Sequence, residues 1–93
     1  MAFDIIDSAH FEREFEKLIK RNREVIVYMD QARAILVIDP HNFSRQHKIK
    51  KLTDVPSDEG QWRLRIGRYR LRYDIRGKIV QLHSIRPRPE AYR

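Results

Sequence analysis

Cysteine is missing from all 93 positions of this chain, and its absence removes two kinds of scaffold at once. No disulfide framework can staple the fold and no thiolate can hold a metal, which suits a reducing compartment. Glycine is scarce, with three residues, and 35% of the chain is charged, so this is not a low-complexity or linker-like sequence. Long apolar runs are missing too: none approaches the ~20 residues that cross a bilayer. The opening "MAFDIIDSAHFERE" has acids where a secretory leader would have a basic and then an apolar stretch. A cytoplasmic protein without membrane association is the expectation. The tripeptide Asn42-Phe43-Ser44 fits a glycosylation acceptor, but without export it reads as an ordinary polar loop.

Acidic charge is thin in the second half. Residues 1–46 carry seven Lys/Arg and eight Asp/Glu, net −1, whereas residues 47–93 carry thirteen and five, net +8, which together give the formal +7 of the chain. A pI near 10.1 with that asymmetry favours a polyanionic partner. Nucleic acid ranks ahead of lipid, because no strongly basic amphipathic helix is evident. A chain of this length makes one domain, residues 1–93, with a modest core supplied by its 41% of hydrophobic residues.

Apolar periodicity divides the first half. "FDIID" at residues 3–7 reads as a strand. Ser8 then offers an N-cap, Glu12 and Glu14 sit where carboxylates favour a helix start, and Phe11, Phe15, Leu18 and Ile19 form one apolar face to about Arg21. In "EVIVYMDQARAILVIDP" the stripe Val25, Met29, Ala32 and Leu36 competes with two β-branched clusters. The length of the segment and the stop at Asp39-Pro40 favour a second helix. Ile26, Val27, Ile35 and Ile38 are then surplus apolar surface, either core or a face awaiting a partner protein. "PHNFSRQHKIKKL" reads as a loop leading into a basic approach strand, and "TDVPSDEG" as a loop. His41 and His47 lack carboxylates or thiols at ligand spacing, so no metal site is expected there.

The run "WRLRIGRYRLRYDI", residues 62–75, holds five arginines. Side chains alternate across a strand with period two. Before residue 67 the even positions Trp62, Leu64 and Ile66 are apolar; after residue 68 the odd positions Tyr69, Leu71, Tyr73 and Ile75 are. A two-residue type II′ turn at Gly67-Arg68 accounts for the switch. It pairs Arg65 with Arg70 and Arg63 with Arg72, gathering four guanidiniums on one face. A second two-residue turn at Arg76-Gly77 would pair Tyr73 with Val80 and Leu71 with Leu82, setting His83 beside Arg70 and Gln81 beside Arg72. Like charges opposed in a sheet cost up to about 1 kcal/mol per pair. Arginine binds phosphate through a planar fork and stays charged at physiological pH, so a phosphate-binding platform explains the cluster better than a solvated face. Trp62, Tyr69 and Tyr73 fall on the opposite, apolar face and read as core.

With the short first strand, the helical pair, the "KIKKL" lead-in, the arginine hairpin and the ending "SIRPRPEAYR", the chain resembles the RelE/ParE superfamily of toxins from type II toxin–antitoxin systems. The resemblance implies an α+β fold like that of microbial ribonucleases, two N-terminal helices on a small twisted antiparallel sheet in the order β-α-α-β-β-β with a short tail. For the RelE branch it implies ribosome-dependent cleavage of mRNA in the ribosomal A site, and a cognate antitoxin bound in a hetero-oligomer. For the ParE branch it implies gyrase inhibition without RNA cleavage. The family's functional positions fall on Arg63 and Arg65, on Arg70 after the turn, on Arg88 after the last strand, and on Tyr92. Arg72, Lys48 and Lys50 extend the phosphate-binding set. Arg63 and Arg65 replace lysines, keeping charge and changing its geometry; Pro87 stands where many relatives have a histidine, which removes one acid/base.

In this type of reaction the RNA 2′-hydroxyl attacks the adjacent phosphate and the 5′-oxygen leaves, with no metal or cofactor required. Arginine is a poor base but stabilises added negative charge well. The resemblance makes Tyr92 the base, its phenolate favoured by nearby guanidiniums, and Arg88 the group that stabilises the leaving oxygen. His83 is the alternative base, an imidazole placed by register on the basic face.

Overall fold

The computed structural model describes residues 2–88, so Tyr92 lies outside the described residues. The chain runs β1 (Asp4–Asp7), α1 (Ala9–Arg21), α2 (Glu24–Ile38), β2 (Ile49–Lys51), β3 (Trp62–Ile66), β4 (Tyr69–Arg76) and β5 (Ile79–Pro87). The five strands form one sheet in the order β1-β5-β4-β3-β2. This is an α+β fold with two helices on the sheet, as expected, but the sheet is mixed where an antiparallel one was expected. β1 joins β5 in parallel, with Asp4 opposite Ile79 and Asp7 opposite Leu82, and the basic approach strand expected in "KIKKL" forms as β2 at the sheet edge, a fifth strand that the expected order did not include.

Local chemistry sets both helices. Ser8 Oγ accepts the N–H of Phe11 at 3.0 Å, capping α1. The helix stops at Asn22, whose N–H reaches Leu18 O at 2.8 Å and whose Oδ1 accepts the N–H of Glu24 at 3.0 Å, opening α2. Val25, Met29, Ala32 and Leu36 are the buried stripe of α2. It closes on Phe11, Leu18, Leu64, Leu71, Tyr73, Val80, Leu82 and Ile85 as a single core. Tyr73 also ties the end of α2 to the sheet: its buried hydroxyl donates to Pro40 O at 2.7 Å. Burial, and then Asp39 nearby, push that phenol well above its ordinary pKa.

The surplus apolar residues of α2 do not all become core. Ile26 and Ile35 are half-buried, but Val27 and Ile38 are 56% and 69% exposed. The sheet offers one apolar face, and the stripe through Val25 and Leu36 already fills it.

Two polar links fix the periphery. Arg33 donates to both oxygens of Asp7 at 2.9 Å, a planar fork on a carboxylate. That hydrogen bonding holds the guanidinium pKa above its ordinary value against the opposing effect of burial. After α2, Asp39 gathers the N–H of Phe43 (2.8 Å) and the hydroxyl of Ser44 (2.6 Å), while Asn42 exchanges hydrogen bonds with His47. His41 stacks on Phe43 and meets Trp62 edge-on, so it is a packing residue of this loop. Among the described residues no helix is long and apolar enough to cross a membrane.

Candidate nucleic-acid interface

The reversal at Gly67-Arg68 is as expected. Gly67 has φ +56°, and Arg68 is not among the residues at positive φ; a type I′ turn needs both, so this is the II′ form. The register follows, with Ile66 opposite Tyr69, Arg65 opposite Arg70, Leu64 opposite Leu71 and Arg63 opposite Arg72. Tyr69 and Tyr73 are buried and Trp62 half-buried against the core.

The second hairpin departs from expectation. Its loop is Gly77-Lys78, not Arg76-Gly77, so Arg76 pairs with Ile79, Ile75 with Val80 and Tyr73 with Leu82. The reason is backbone geometry: the first loop position takes φ +55°, which glycine adopts freely and arginine does not. Tyr73 therefore does not pair with Val80, nor Leu71 with Leu82. Gln81 lies opposite Asp74, not beside Arg72.

Beyond Leu82 the register slips once more. Arg72 faces Ser84, Leu71 faces Ile85 and Arg70 faces Arg86, leaving His83 as the extra residue of a bulge. His83 is not beside Arg70. Without the bulge Ile85 would point to solvent and Ser84 and Arg86 into the core; the extra residue reverses that and buries Ile85. The signal was present as the spacing Leu82 to Ile85, three positions with two polar residues between, which no regular strand can bury on one side.

Two cross-strand rows result. One runs Lys50, Arg63, Arg72, Ser84 and the other Arg65, Arg70, Arg86, with Lys48 O accepting the N–H of Arg65 at 3.0 Å beside the second row. The side chains pack closely enough that the Nε atoms of Arg65 and Arg70 are buried, with no hydrogen-bond partner among the described residues. Arg72 is differently placed. Its Nε donates to Gly60 O at 3.0 Å and its Nη2 to Glu59 O at 2.8 Å, so it clamps the loop before β3 as well as adding charge. Arg86 has a carboxylate partner, Glu14 Oε2 at 3.0 Å.

Between the rows lies a cleft of about 210 Å³ lined by Arg70, Arg72, Ser84, Arg86 and Pro87, with Ser84 buried. Arg88 borders a different cleft, of about 370 Å³, with Leu18, Arg21, Asn22, Arg68, Tyr69 and Pro87. Its N–H donates to Arg68 O at 2.7 Å, prolonging the hairpin ladder. The structure thus gathers Arg63, Arg65, Arg70 and Arg72, adds Arg86 and Ser84 from β5, places Arg88 on a different cleft, and sets His83 next to Ser84 against the stem of Arg72. Sequence reasoning missed Arg86, Glu14 and His10, whose association spans the length of the chain.

Such a surface can hold the phosphates of an extended polyanion through planar forks and can stabilise charge that develops on one of them. Guanidiniums cannot remove a proton, so any cleavage needs another group. Among the described residues no three His, Cys, Asp or Glu side chains are grouped where they could hold a metal ion. Searches of family models, curated proteins and solved structures give no match to this chain.

Proposed function

We propose that this protein is a RelE-type toxin of a type II toxin–antitoxin system, a ribosome-dependent endoribonuclease of the cytoplasm that cuts mRNA in the ribosomal A site. The observation that carries the proposal is the double row of arginines on β3, β4 and β5, surrounding the cleft over Ser84. Opposed like charges are unfavourable in an isolated sheet, and an RNA backbone laid across the rows relieves that repulsion while offering phosphates to the guanidiniums of Arg65 and Arg70. Arg70 and Arg86 flank the scissile phosphate and stabilise the charge added when the 2′-oxygen attacks. Arg63, Arg65, Lys48 and Lys50 hold the neighbouring backbone. A cognate antitoxin of acidic character neutralises the toxin by covering this face.

Purified ribosomes programmed with a defined mRNA test the proposal. Cleavage within the A-site codon, with loss of translation, is the expected result. Intact mRNA together with blocked DNA supercoiling by gyrase would refute it in favour of a ParE-like gyrase inhibitor.

A further inference from the structure

Two histidines outside the arginine rows meet where α1 crosses the second half of β5. His10 stands in the first turn of α1 and His83 is the bulge residue of β5, and their ring centres are 5.6 Å apart at a tilt of 41°. His10 Nε2 lies 3.4 Å from Glu14 Oε2, one helical turn on. Glu14 is itself anchored, its Oε1 accepting the N–H of Ile85 and its Oε2 the Nε of Arg86, both at 3.0 Å. His83 is held from the other side: Ser8 Oγ donates to its carbonyl at 3.4 Å, and its ring packs with the stem of Arg72 against Gly60, where a Cβ would come within 3.2 Å of His83 Cδ2. The next residue along β5 is Ser84 in the arginine cleft, and Arg86 in that cleft shares Glu14 with His10.

We propose that His10 and His83 are the proton-transfer pair of the RNA-cleaving site, with Glu14 as the positioning residue for His10; this rests on the ribonuclease function proposed above. A carboxylate facing Nε2 fixes the N–H on that nitrogen and leaves Nδ1 as an acceptor, the way a carboxylate sets the tautomer of an imidazole base. His10 Nδ1 takes the proton of the ribose 2′-hydroxyl as O2′ bonds to phosphorus. The bond from phosphorus to O5′ breaks, and His83, as imidazolium, gives its proton to O5′. The products are a 2′,3′-cyclic phosphate and a 5′-hydroxyl end, and the pair is left with its protons exchanged for solvent to restore. Arg70 and Arg86 carry the negative charge between the two steps.

The test compares single-turnover cleavage of ribosome-bound mRNA by the wild type, His10→Gln, His83→Gln and Glu14→Gln. One substrate is ordinary RNA, and the second has sulfur in place of the leaving 5′-oxygen at the cut site. A thiolate leaves without protonation. Loss of a general acid or base slows cleavage by about 10²-fold or more, so both histidine variants are expected to lose that much on ordinary RNA, with RNA affinity within twofold of wild type. The sulfur substrate should restore His83→Gln and leave His10→Gln slow. Glu14→Gln should lower the rate less than His10→Gln does. The side chain of His10 is 45% exposed, so its substitution leaves the fold intact even if that at position 83 does not. Wild-type cleavage matched by both histidine variants overturns the proton-transfer pair alone, as does an equal loss on both substrates for His83→Gln. A wild-type protein that leaves every mRNA intact overturns the ribonuclease function and this pair with it.

Discussion

Asp74 on β4 accepts the backbone N–H of Gly60 through Oδ2 at 2.9 Å, and its other oxygen takes the N–H of Gln61 at 3.0 Å. The carboxylate is 5% exposed, and with Arg72 it forms a two-sided clasp on the loop that leads into β3. A buried donor left unpaired costs about 1–3 kcal/mol, so Asp74→Ala, which strands two, is expected to lower the unfolding free energy by roughly 3 kcal/mol. Urea unfolding measures this. A change below about 0.5 kcal/mol, the usual range for a surface substitution, would mean that the clasp is not a structural support.

The two hairpin glycines are predicted to differ. Gly67 and Gly77 have nearly the same φ, +56° and +55°, so alanine is strained at both. A Cβ at Gly67 would fall 2.4 Å from the Tyr28 ring, whereas one at Gly77 meets nothing within 4 Å. Tyr28 is half-buried beside Tyr69 and cannot swing away without losing that contact. Gly77→Ala should therefore cost only the backbone strain, about 1–3 kcal/mol, and Gly67→Ala distinctly more. Thermal unfolding of the pair checks the order, and equal losses would contradict it.

Asp39 gives the loop after α2 a dependence on acid. Burial pushes its carboxyl up, but hydrogen bonds from Ser44 Oγ and from the N–H groups of Phe43 and Ser44, with His47 nearby, outweigh that and hold it below the ordinary carboxylate pKa. A carboxyl lowered on folding stabilises the native state above its unfolded pKa, about 3.9, and that contribution is lost as pH falls through the lower, folded value. The amides of Phe43 and Ser44 are expected to shift together in an NMR titration with a midpoint under that unfolded value. Ser44→Ala should move the midpoint upward; an unchanged midpoint would show that the Ser44 hydroxyl does not set it.

How far the sequence could be read depended on the range of each interaction. The phase change between Ile66 and Tyr69 is local, and it alone placed Arg63, Arg65, Arg70 and Arg72 on one face. The capped start of α1 at Ser8 and the end of α2 before Pro40 are local too. The parallel pairing of β1 with β5 is not, because Asp4 and Ile79 are brought together only after both helices have folded back. Glu14 and Arg86 meet across 72 positions, and no periodicity links them. The bulge at His83 falls between these cases. Its spacing was visible, but the choice of where to insert the extra residue is fixed by Glu14 on the Ile85 N–H and by Ser8 on the His83 carbonyl. The stripe of α2 was legible, but among the surplus residues nothing in the sequence separated the exposed Val27 and Ile38 from the half-buried Ile26 and Ile35, since all four are apolar and lie beside the stripe.

Arg70 and Arg72 neighbour each other on one strand face yet should fail in different ways when replaced. Arg72 supports the loop through the carbonyls of Gly60 and Glu59, so Arg72→Ala removes two hydrogen bonds along with a charge. At a net value near 1 kcal/mol per bond it should lose about 1–2 kcal/mol of stability. Arg70 has its Nε buried without a hydrogen-bond partner among the described residues, and Arg65 and Arg86 lie beside it. Removing it relieves repulsion of up to about 1 kcal/mol, so Arg70→Ala should be as stable as the wild type or slightly more so. If the proposed function holds, its effect belongs to binding and turnover, and growth arrest on expression should disappear. Against single-stranded RNA the dependence of log affinity on log salt should flatten by about 0.7, one phosphate contact's worth. A well-folded Arg70→Ala that still arrests growth in full would remove Arg70 from the site, and an unchanged salt slope would mean that its guanidinium meets no phosphate.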